Sequence, residues 1–102
     1  MFEEILVCLD GSPAAEQILP LAQEIASVTG SRLILLRVVR NNEELSAEER
    51  YMRERAGALG TVRFLISSDP AAAIIDELEK NSRAIAALTT HGRSAWEEAL
   101  LG

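Results

Sequence analysis

The sequence predicts an α/β fold, a parallel sheet with helices packed on both faces. Three observations carry this. Short, almost continuously apolar runs at Ile5 to Leu9, Leu33 to Val39 and Ile85 to Leu88 read as strands covered on both sides. Segments with helical spacing alternate with them, and the loops are too short to join anything but neighbouring elements. Composition agrees: 48% of the 102 residues are apolar but only 4% aromatic, so Leu, Ile, Val and Ala must supply the core. Right-handed crossovers follow from the alternation, and a strand order of 3-2-1-4 is expected.

Taken in order, Ile5 to Leu9 is the central strand. Ser12 stands where its hydroxyl can accept from the free amides of the next turn, and Pro13 suits a first helical position. Ala14 and Ala15, Ile18 and Leu19, Ala22, and Ile25 and Ala26 then recur at helical spacing up to Gly30. Pro20 lies inside that run. It lacks a backbone donor and crowds the carbonyl one turn back, at a cost of about 3 kcal/mol unless the helix bends, so a kink is expected there.

Leu33 to Val39 is the second strand, and Arg40 to Glu44 read as a loop. Ser46 and Glu49 have capping-box spacing and predict the start of a helix carrying Met52, Ala56 and Leu59, weakened and ended by Gly57 and Gly60. Val62, Phe64 and Ile66 alternate with Arg63 and Leu65, as in a strand nearer the sheet edge. Asp69 caps and Pro70 opens the next helix, with Ala71, Ile74, Ile75 and Leu78 as its apolar stripe and Asp76, Glu77, Glu79 and Lys80 facing water. Ile85 to Leu88 is the fourth strand. After a loop from Thr89 to Ser94, Trp96, Ala99 and Leu100 return to helical spacing. The chain has no internal repeat, and its length suits one domain over residues 1–102.

Charge excludes one class of partner. Ten basic and sixteen acidic residues give a net charge of −6, which repels a nucleic-acid backbone. Arg50, Arg53 and Arg55 are interleaved with Glu48, Glu49 and Glu54 and read as a solvated helix face. Cys8 is the single cysteine, so no internal disulfide can form, and its apolar setting points to a buried thiol in a reducing compartment. The start Met1-Phe2-Glu3-Glu4 is acidic where a secretory signal would be basic, and no apolar run approaches the roughly 20 residues that cross a bilayer. A cytoplasmic protein with no membrane association is expected.

In open parallel sheets ligands bind beyond the carboxyl ends of the strands, where strand order reverses. Here that point lies between the first and fourth strands. Asp10 could accept from a base or sugar, Val38 and Leu88 could line a flat apolar slot, and backbone around Gly11, Gly92 and Gly102 could approach phosphate oxygens. On spacing alone, Asp10-Gly11-Ser12-Pro13 reads as an ordinary capped turn rather than a binding turn.

The start Ile5-Leu6-Val7-Cys8-Leu9-Asp10-Gly11-Ser12, the pair Val38-Val39, Asp69-Pro70, and the closing Thr90-His91-Gly92-Arg93-Ser94 with Leu100-Leu101-Gly102 resemble the universal stress protein family over nearly the whole chain. The resemblance implies a five-stranded α/β domain, commonly dimeric. It also implies that some members bind ATP through a Gly-x-x-Gly-x9-Gly-Ser/Thr loop, whereas others do not. Mapped onto that loop, Thr89 stands at the first glycine, Gly92 at the second and Gly102 at the third. The Ser/Thr after the third glycine and the fifth strand are absent from this chain. Thr89 places a branched Cβ where backbone would approach ribose or phosphate, although its hydroxyl could donate to a phosphate.

The expected function is therefore a stress-response domain that binds an adenine nucleotide, ATP with Mg²⁺ arriving on it, at the carboxyl ends of the first and fourth strands. Its ligand-binding residues would be Asp10, Gly11, Ser12, Val38, Leu88, Thr89, Gly92, Arg93 and Gly102, and its oligomer a homodimer. The alternative is a nucleotide-free interaction module that docks through the fourth-strand edge and Trp96. His91 has no carboxylate or serine spaced to orient it and is assigned no catalysis. With no activated nucleophile or base, at most a weak nucleotide hydrolysis is expected, and no Cys/His cluster suggests a transition-metal site.

Overall fold

A computed structural model describes residues 2–11 and 13–88. It contains four strands and four helices in the order β1 (Glu4–Leu9), α1 (Pro13–Glu16), α2 (Leu19–Thr29), β2 (Arg32–Val39), α3 (Asn42–Ala56), β3 (Thr61–Ile66), α4 (Pro70–Lys80) and β4 (Ala84–Ala87). All strand pairs are parallel and the sheet order is β3-β2-β1-β4, as the alternating pattern implied. Strand bounds differ from the sequence reading by a residue or two at the ends.

Strand alternation divides the core between two faces. Ile5, Val7 and Leu9 join Leu33 and Leu35 on one face, under Ala15, Ala22, Ala26, Met52 and Ala56 from α1, α2 and α3. Leu6, Cys8, Ile34 and Leu36 point to the other face and meet Ile74 of α4. Both faces of β1 are thus dry from Ile5 to Leu9, which is why that stretch reads as an unbroken apolar run, and Glu4 before it is buried as well. Each fully buried Leu or Ile contributes about 1.5–3 kcal/mol, before the conformational entropy that opposes it. The helices meet the sheet largely through alanines, which let the backbones approach closely without aromatic filler.

Three local expectations are corrected. The run from Pro13 to Gly30 is not one kinked helix: α1 ends at Glu16 and a separate α2 begins at Leu19. Pro20 falls in the first turn of α2, where its missing N–H leaves no bond unmade, and the carbonyl its ring would have crowded, that of Glu16, already lies outside that helix. A break relieves the clash more completely than a bend. Gly30 ends α2 in the left-handed region at φ 71°, its N–H donating to the Ala26 carbonyl.

Helix α3 starts at Asn42, not at Ser46, so the Arg40 to Glu44 loop is shorter than expected. Asn41 is the cap: its Oδ1 accepts from Glu44 N at 2.8 Å, and Glu43 and Glu44 place negative charge at the positive end of the helix dipole. On α4, Asp69 caps as expected, accepting from Ala72 N at 3.1 Å. Its stripe is narrower, however: Ile75 is exposed while Glu77 is half-buried and pairs with Arg63 at 3.4 Å.

Candidate functional site

The order β3-β2-β1-β4 reverses direction at β1, since the chain runs outward to β2 and β3 and then crosses back to β4 on the other side. In the β1–β2 register Leu9 faces Arg37, and in the β1–β4 register Val7 faces Ala87. Val38 and Leu88 each follow one of those partners, so they flank the carboxyl end of β1 from either side. Both are half-buried and pack on the apolar cluster of the α4 face, around Leu6, Cys8 and Leu36.

Asp10 and Gly11 leave the end of β1 directly. Asp10 is exposed, and Gly11 takes φ +87°, a backbone conformation that L side chains rarely adopt. Glycine here turns the chain away from the sheet before α1. Of the expected site residues, then, Asp10, Gly11, Val38 and Leu88 are brought to one end of the sheet. Ser12, Thr89, Gly92, Arg93 and Gly102, with His91 and Trp96, lie outside the described residues.

Chemically, this end of the sheet offers two apolar walls, a carboxylate and a glycine turn. A flat heterocycle fits between walls of that kind, and a carboxylate accepts from an exocyclic amine or a ribose hydroxyl. Among the described residues no group of three His, Cys, Asp or Glu is placed to hold a metal ion, so a divalent cation has no ready-made protein cage there. Cys8 lies beneath this end, its thiol pushed up to about 12 by burial, and it is unsuited to act as a nucleophile near neutral pH. A cavity of about 410 Å³ lies at the opposite, amino-terminal end of β2 and β3, between Ser27, Ser31, Leu33 and Thr61, and plays no part in this arrangement.

One residue missed in the sequence reading is Arg37. It is the lone charge within the apolar run of β2, which was the available signal. Its side chain is only 15% exposed and meets Glu48 at 3.6 Å and Glu44 at 4.0 Å. A Cβ built on Gly11 would stand 3.6 Å from Arg37 Nη2, so the guanidinium lies beside the turn that carries Asp10. Of the arginines of α3, Arg50 and Arg53 behave as read, pairing with Glu54 and Glu49 on an exposed face, whereas Arg55 reaches across to Glu16 of α1 at 2.8 Å. No helix among the described residues is long and apolar enough to cross a membrane.

A model of the universal stress protein family matches residues 1–60. No curated protein matches the chain. Among solved structures, the chain is similar to a universal stress protein in complex with cAMP, at 23% identity over 99% of this chain and 83% of that one, with a TM-score of 0.71. It is also similar to a protein of the same family from Burkholderia pseudomallei, at 22% identity, 98% and 89% coverage and a TM-score of 0.68. A third is the universal stress protein from Archaeoglobus fulgidus, at 20% identity, 99% and 87% coverage and a TM-score of 0.62. At these identities the likeness shows the fold.

Proposed function

The chain belongs to the universal stress protein family, and from that premise we propose that it is a cytoplasmic domain, spanning residues 1–102, that binds an adenine nucleotide at the carboxyl ends of β1 and β4. The observation that carries the reading is the convergence of Asp10, Gly11, Val38 and Leu88 where strand order reverses. A similar fold crystallised with cAMP supports the adenine class. In this reading Val38 and Leu88 flank the base, and Asp10 accepts from the base or ribose. Gly11, Gly92 and Gly102 admit backbone contacts to phosphate, Ser12 and Thr89 supply hydroxyls, and Arg93 a positive charge. ATP is the favoured ligand, with Mg²⁺ carried on its phosphates.

Calorimetric titration of the folded protein with MgATP tests the reading. Saturable binding is expected, and Asp10→Ala should weaken it about tenfold, equal to ~1.4 kcal/mol. Absence of saturable heat up to millimolar MgATP removes the nucleotide assignment.

A second reading, a nucleotide-free homodimeric interaction module, is favoured by a different observation. Among the described residues β4 pairs on one side only, with β1, and Ile85 on it is 37% exposed. An edge of that kind invites pairing. Sedimentation separates the two: a concentrated sample that stays monomeric eliminates the module and leaves ligand binding intact.

A further inference from the structure

Arg37 is placed at a cost that its contacts do not repay in stability. Burying a guanidinium is unfavourable by several kcal/mol unless charge and hydrogen bonds are both satisfied. Its charge is answered by Glu48 at 3.6 Å and Glu44 at 4.0 Å, separations that are ion pairs without being hydrogen bonds. Glu44 is shared with Arg40, whose Nε lies at 3.2 Å, so Glu48 is the principal partner. Arg37 Nε is buried with no hydrogen-bond partner among the described residues. Arg37 and Arg40 with Glu44 and Glu48 make a charge-balanced cluster, so the guanidinium is already matched by carboxylates of its own chain. The cation therefore does not serve as an anion anchor.

The surface it does serve is Gly11. Nη2 and Cζ of Arg37 lie 3.6 and 3.9 Å from where a Cβ on Gly11 would stand, so the guanidinium is the side chain that faces this turn. The turn has no side chain of its own at this position and takes φ +87°. Through Glu48 the same group is tied to the middle of α3, a rigid element.

We propose that Arg37 is a positioning residue, which braces the Asp10–Gly11 turn against α3 through Glu48 and so presets the crevice for nucleotide. The second half rests on the reading under Proposed function; the bracing itself does not. Holding a binding turn in its bound form before the ligand arrives lowers the ordering cost of association.

The test uses the nucleotide-free protein and its Arg37→Met variant, which keeps bulk and removes the charged plane. Backbone ¹⁵N order parameters at Gly11 are expected to fall from about 0.85 to below about 0.6 on substitution, with Val7 and Leu35 unchanged as markers of the fold. MgATP affinity is expected to fall about tenfold in parallel. An unchanged Gly11, or a loss of order shared equally by Val7 and Leu35, overturns the bracing. If Arg37→Met does not fold, Glu48→Gln carries the test: Gly11 should loosen there too, and a rigid Gly11 in that variant overturns the proposal. Failure of the unmodified protein to bind MgATP defeats the nucleotide reading alone, and the order parameters still decide the brace.

Discussion

Asn81 Nδ2 donates to Glu4 Oε1 at 3.0 Å, tying the end of α4 to the start of β1 across 77 positions of sequence. Glu4 is a carboxylate with a side chain only 6% exposed, and Arg32 reaches its other oxygen at 2.7 Å from a largely exposed position. Arg63 stands 3.8 Å away. Exposed Arg32 contributes little, because water competes for it. The cost of deleting the carboxylate comes instead from half-buried Asn81 and Arg63, which lose the partner they share. Glu4→Ala is expected to destabilise by about 2–3 kcal/mol and Asn81→Ala by about 1 kcal/mol, measured by urea unfolding. The double variant should cost less than the sum, since both delete one bond; strict additivity defeats this account.

Capping gives a sharper test of where α3 begins. Asn41→Ala removes the acceptor for Glu44 N and should cost about 1 kcal/mol. Ser46 is exposed inside the helix, so Ser46→Ala should change stability by less than about 0.5 kcal/mol and can be favourable through helix propensity. Were Ser46 the more costly of the two, the observed helix start would be wrong.

That pair of residues also marks how far the sequence could be read. Strand positions and sheet order were legible because β1, β2 and β4 are apolar over short spans and the connections admit one handedness. Asp69 with Pro70 identified a helix start unambiguously. Near α3 two capping patterns compete, Asn41 with Glu44 and Ser46 with Glu49, and local spacing does not choose between them. The helix dipole does not choose either, since Glu43 and Glu44 follow Asn41 just as Glu48 and Glu49 follow Ser46. Glu4 and Glu77 could not be placed by pattern, since burial of a charge depends on partners far away in sequence, and Arg37 was marked only as a charge inside an apolar run. Of the candidate site, Asp10, Gly11, Val38 and Leu88 were legible because each sits at the end of a strand.

Glycine positions separate strain from collision. At Gly30 a Cβ meets nothing within 4 Å, and only the left-handed backbone opposes it, so Gly30→Ala should cost about 1 kcal/mol. A Cβ at Gly60 would overlap the backbone carbonyl of Leu33, where β2 and β3 begin to pair. Backbone cannot step aside as a side chain can, and Gly60→Ala should cost about 3 kcal/mol or prevent folding. Thermal unfolding of the two variants ranks them, and the reverse order would contradict the close approach.

Cys8 makes stability fall with alkaline pH in a defined window. Burial raises its thiol from 9.0 to about 12, and Sγ donates to the Leu6 carbonyl at 3.7 Å. Between those values the unfolded chain has released the proton and the folded chain retains it. The unfolded state therefore binds fewer protons, and the free energy of unfolding declines as pH rises. The contribution is fully present below about pH 9 and is lost progressively toward pH 12, at up to ~1.4 kcal/mol per pH unit. Cys8→Ala opens a small void, a cost that does not vary with pH, and it carries no thiol to titrate. Other groups ionising in that range, Tyr51 and Lys80 among them, are common to both proteins and cancel in the difference. Urea unfolding from about pH 8 to 10.5 should show the two stabilities converging as pH rises. Parallel curves across that range would mean that Cys8 ionises in the folded protein as readily as in the unfolded chain, and the thiol would then be open to solvent.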